Sequence, residues 1–88
     1  MEYTVSPKLQ EYRGLLMKMQ VFQLMPPLAG DSARPDEWDY EVSITDYHGG
    51  LLCGPFCSAT GYVTRVSAED ACSRRGRLVV DLLLMTLN

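Results

Sequence analysis

His48, Cys53, Cys57 and Cys72 are the side chains of this sequence best suited to chemistry. One imidazole and three thiolates are the donor set of a tetrahedral structural zinc site. A small chain with a thin core would gain much from such an ion. The spacing is less favourable. Three residues separate Cys53 from Cys57, where a tight knuckle has two, and Cys72 has no paired neighbour. Buried free thiols are the simpler reading, because cysteine packs as a small apolar side chain. No metal and no cofactor are therefore expected. The stretch Cys53-Gly-Pro-Phe-Cys57 has the outline of a redox loop, but that chemistry needs two intervening residues and a helix N-terminus to stabilise the thiolate. His48 is the sole histidine and stands beside Gly49-Gly50, where a turn explains it; no nucleophile elbow accompanies it. Glycines 49, 50 and 54 do not form a phosphate cradle, and the Asp-rich stretch lacks the calcium-loop spacing. A non-enzymatic protein is the resulting expectation.

Charge offers a second kind of chemistry. The net charge of the 88 residues is only −3, but it is unevenly placed. Asp31, Asp36, Glu37, Asp39, Glu41 and Asp46 fall close together, against the single base Arg34, while Arg65, Arg74, Arg75 and Arg77 gather further on. A solvated surface accounts for both groups. The sharper reading is an acidic face that meets a basic partner, since complementary charge speeds and orients docking. The residues expected to bind are Asp36, Glu37, Trp38, Asp39 and Glu41, with the tryptophan as an aromatic anchor inside an acidic rim. Direct nucleic-acid binding calls for a basic domain, which this is not.

These residues need a scaffold, and the clearest piece of it is Trp38 to Thr45. Trp38, Tyr40, Val42 and Ile44 alternate with Asp39, Glu41, Ser43 and Thr45, which gives a strand one apolar and one polar face. Before it, Ser6-Pro7 reads as the start of a short helix carrying Leu9 and Tyr12, with Gly14 as its stop. Met17, Met19 and Val21 alternate with Lys18 and Gln20 as a strand would, although one longer helix to Leu24 also fits. Pro26-Pro27 ends that element, and residues 26–37 read as a polar loop. Gly49-Gly50 supplies a turn. Gly54-Pro55 interrupts the next apolar stretch, which places a third strand at Phe56 to Val63. Its small residues Cys57, Ala59 and Gly61 would admit a close helix. Ser67 caps that helix, with Asp70 reaching back. Gly76 poses a choice: the helix runs on through Leu78, Leu82 and Met85, or Arg77 to Leu87 forms a fourth strand. The helix is the reading adopted.

The order of these features resembles small proteins of bacteriophages and other mobile elements, anti-CRISPR inhibitors among them. The features concerned are the helix at Leu9 and Tyr12, the loop ending in the Trp38–Thr45 strand, the Gly-Gly turn, and the strand from Cys57 to Gly61 before an acidic-capped helix. They cover about half the chain and include no catalytic motif. The resemblance implies a protein that inhibits a host machine, a CRISPR effector, by direct binding. It transfers no functional residue.

The expected fold is a single α+β domain over residues 1–88. It has an antiparallel sheet of three strands, or four, with a short N-terminal helix and a C-terminal helix packed on one face. Leu78 to Leu87 is apolar almost all round, which suggests burial on two sides and a homodimer. No leader is recognisable at the start and the longest apolar run is too short to span a bilayer, so a cytoplasmic protein without membrane contact is expected.

Overall fold

The computed structural model describes residues 7–23, 38–58 and 61–87. Four strands, β1 (Lys8–Tyr12), β2 (Leu15–Gln23), β3 (Trp38–Thr45) and β4 (Leu51–Cys57), precede one helix, α1 (Arg65–Leu87). The strands form one sheet in the order β1-β2-β3-β4, every neighbour antiparallel. The architecture is thus α+β, with the fourth strand at the beginning of the chain rather than at its end.

The expected N-terminal helix is not formed. Lys8–Tyr12 pairs with Leu15–Met19, and Arg13 and Gly14, at φ 54° and 87°, make the tight turn between them. Two consecutive positive φ values are the requirement of the hairpin turn whose twist matches its strands. The left-handed freedom of Gly14 is used, but to reverse a strand. Leu9 and Tyr12 fall on opposite faces of β1, so their helical spacing carries no packing.

β2 and β3 form the centre. Met17 pairs with Ile44, Met19 with Val42 and Val21 with Tyr40, and all six are buried. α1 lies across this face and adds Ala68, Ala71, Cys72 and Val80 to the core. Among the described residues, the small side chains at this contact are on the helix itself; of the small residues expected on a strand, Cys57 is exposed and Ala59 lies outside the described residues. Gly76 lets the helix backbone come close to the sheet: a Cβ there would stand 2.7 Å from Met17 Sδ and 3.3 Å from Val42 Cγ2. α1 runs through this glycine without a break.

Two further expectations change. The strand placed at Phe56–Val63 lies instead at Leu51–Cys57. Proline is tolerated at a sheet edge, where one side of the strand has no partner to receive its missing amide, and register shifts between Val42 and Thr45 absorb the extra residues of β4. Past the strand, Tyr62 bridges back to Trp38 through two backbone bonds of 2.6 and 2.7 Å. The helix also starts earlier than Ser67: Thr64 caps it, its hydroxyl oxygen accepting from the Ser67 amide at 3.1 Å. No helix is long and apolar enough to cross a membrane among the described residues.

Candidate functional site

The sheet has two faces, and only one lies under α1. Register places Lys18, Gln20, Glu41, Ser43, Thr45 and Cys57 together on the other. Here Lys18 and Cys57 are exposed and the rest half-buried. Glu41 pairs with Gln20 on one side and Cys57 on the other. With Lys18, Ser43, Pro7 and Pro55 it lines a shallow depression of about 160 Å³. Its negative charge is felt nearby: burial first, then Glu41 and Asp39, push the Cys57 thiol above its ordinary value.

The other expected binding residues are placed differently. Asp36 and Glu37 lie outside the described residues. Trp38 is half-buried and packs against the core. Asp39 is only 6% exposed. Its Oδ1 accepts from the Ser58 hydroxyl at 2.6 Å, the Tyr40 amide at 2.7 Å and the Ser58 amide at 3.3 Å. This carboxylate ties Ser58, just past β4, to β3, and at this burial it offers little surface of its own for docking. Alternation put it on the polar face correctly; that the polar face would be covered at this point depended on Ser58, nineteen residues on in sequence.

The thiols and the imidazole do not converge. His48 is exposed in the turn, Cys72 is in the core, and Cys53 and Cys57 pair with residues on opposite faces of β3. Among the described residues no group of His, Cys, Asp and Glu is placed to hold a metal ion. Burial raises the Cys72 thiol to about 11, so it stays protonated and behaves as an apolar core side chain.

A second surface runs along the far half of α1. Leu78, Leu82 and Met85 are 54%, 50% and 69% exposed. Leu78 and Leu82 border an apolar groove of about 630 Å³ between α1 and β4, walled by Phe56, Val79 and Leu83. The one charged group lining it, Arg75, lies over the Phe56 ring at 5.1 Å. The sequence signalled this surface through the apolar run from Leu78 to Leu87, broken only at Asp81 and Thr86, which leaves more apolar side chains than one sheet face can cover. On the opposite flank, the Asp81 carboxylate accepts from the Arg13 guanidinium at 2.8 Å and the Tyr12 hydroxyl at 3.1 Å. That link between the first hairpin and the helix had no local signature, since its partners are nearly seventy positions apart. Compared with family models, curated proteins and solved structures, the chain matches none.

Proposed function

We propose that the protein is a non-enzymatic inhibitor that binds a larger host machine through the open face of its sheet. A basic protein or ribonucleoprotein surface is the complement, and a CRISPR effector is the specific case. A phage or other mobile element is the kind of source that suits this role. The observation that supports the reading is the position of Glu41. It stands half-buried at the middle of a face that α1 leaves open, on the strand that Asp36 and Glu37 precede in sequence. A carboxylate held on a central strand is an orienting charge for docking. Asp39 is engaged by Ser58 and nearly buried, so Glu41 is the charge of β3 that the test addresses.

The test is direct. Expressed in a host with active CRISPR immunity, the protein should restore phage plating, and it should co-purify with the effector. Glu41→Lys should slow association about tenfold at low salt and flatten its salt dependence. Asp36→Lys with Glu37→Lys should act in the same direction. Plating unchanged by the protein would dismiss the inhibitor; association unchanged by the substitutions would dismiss this face.

A further inference from the structure

We infer that the crevice between β1 and the first half of α1 is a binding site for a small organic carboxylate, one ring or one short chain carrying a single ionised acid. The crevice follows from how the two elements meet. Lys8 and Gln10 pair with the buried Met19 and Met17, so with Tyr12 they stand on the face of β1 that looks toward α1. At one end the Tyr12 hydroxyl and the Arg13 guanidinium donate to Asp81 and draw strand and helix together. Toward the other end an opening of about 170 Å³ remains, with Lys8 and Gln10 on one side and Arg65, Glu69 and Ser73 on the other. The last three recur every four residues and so share one flank of α1. Met19, Val21 and Cys72 make the floor, each no more than 6% exposed.

Charge and hydrogen bonding select the occupant. Lys8 and Arg65 bring two cations to the lining, and Glu69 brings one anion. That anion is already engaged, since Arg65 Nε donates to its Oε2 at 3.1 Å. The bond uses Nε, so a ligand would meet the terminal nitrogens of the guanidinium. Ser73 Oγ accepts from the Arg77 guanidinium at 2.8 Å, which leaves the hydroxyl proton to be given. Burial raises the Cys72 thiol to about 11, so the floor adds no negative charge. The lining therefore has one surplus positive charge and more donors than acceptors, the complement of a carboxylate and the opposite of what an amine needs. The floor speaks against a bare inorganic anion, because the Met19 and Val21 side chains give it no donor, whereas a ring or short chain covers them. Size limits the body. A cavity of about 150 Å³ accepts a benzene ring, and pockets for drug-sized ligands begin at about 300 Å³. The crevice is on the helix side of the sheet and the Glu41 side chain is on the other, so the site stands or falls apart from the proposed inhibitor role.

Benzoate is the probe. Titrated into the isotope-labelled full chain, it should shift the amide resonances of Met19, Val21 and Cys72 and saturate with a Kd on the order of 1 mM. Benzyl alcohol keeps the ring and inorganic phosphate keeps the charge; each should bind at least about tenfold more weakly. Lys8→Gln with Arg65→Gln should weaken benzoate about tenfold and remove its advantage over benzyl alcohol. Both positions are exposed, and circular dichroism should show the fold retained. No saturable shift by about 20 mM benzoate would overturn the site. So would benzyl alcohol or phosphate matching benzoate, a folded double variant that binds benzoate undiminished, or saturable shifts confined to the groove along Leu78–Leu83.

Discussion

The Asp81 carboxylate is the one acidic group, among the described residues, that holds the first hairpin to the helix. The Arg13 guanidinium is the main cause of its lowered pKa; burial opposes, and the Tyr12 hydroxyl lowers it further. Its folded pKa lies below the ordinary 3.8, so the ionised carboxylate is favoured more in the folded protein than in the unfolded chain. The stabilisation is complete above that ordinary value and is lost as the pH falls through the depressed one. Asp81→Asn should therefore lower the melting temperature near neutrality. The gap from wild type should close in acid, below the carboxylate range. A gap that stays constant into acid would show that the link is steric and not ionic. Asp46 is lowered too, chiefly by the Gly50 amide, and will contribute its own acid sensitivity in both proteins. Asp39 makes the complementary point. Its alternation with Trp38 and Tyr40 was visible in the chain, but its partner Ser58 was not, because a hydrogen bond between distant positions leaves no local spacing to read.

Among the elements, α1 is the one whose fate turned on a single residue. Glycine costs a helix about 1 kcal/mol relative to alanine, which makes Gly76 the weak point of a helix that the sequence reading nonetheless continued through it. Packing explains why glycine stands there. A side chain at this position would run into Met17 and Val42, which are both fully buried. Gly76→Leu should therefore destabilise by about 1–3 kcal/mol through overpacking, read as a lower urea midpoint, even though leucine is the better helix former. Met17→Ala opens space at that contact, so the double variant should lose less than the sum of the two single losses. Strict additivity would place the added side chain elsewhere. The same comparison explains what could be read of the strands. Met17, Met19 and Val21 declare β2, and Tyr40, Val42 and Ile44 declare β3, because each lies against the helix-covered core. β1 is an edge strand whose residues are exposed except for Tyr12, so no apolar face marks its period and turn chemistry alone decided it. β4 hides behind Pro55, a residue that argues against a strand everywhere but at an edge.

Taken together, the four strands make a sheet that is strong at its middle and guarded at both sides. β2 and β3 have a ladder on either flank and α1 above. β1 is five residues long, begins at a lysine and comes just after a proline; β4 carries Pro55 and register shifts. Short length, an edge lysine, proline and irregular register are the devices by which sheets discourage further strands from adding. Exposed apolar side chains remain on the edge strands, Leu9 on β1 and Leu51 and Leu52 on β4, as well as on α1 at Val66, Leu78, Leu82 and Met85. This distribution predicts an order of local opening. Amide exchange should be slowest at Met17, Met19, Val21, Tyr40, Val42 and Ile44, where opening requires the whole core to part. It should be much faster in β1 and β4, whose outward edges meet no further strand among the described residues and whose loss leaves the β2–β3–α1 core intact. Concentration gives a second reading of the same experiment: exchange in β1 and β4 should not change as protein concentration rises, and slowing there would report edge-strand pairing and mean that the sheet's defences fail.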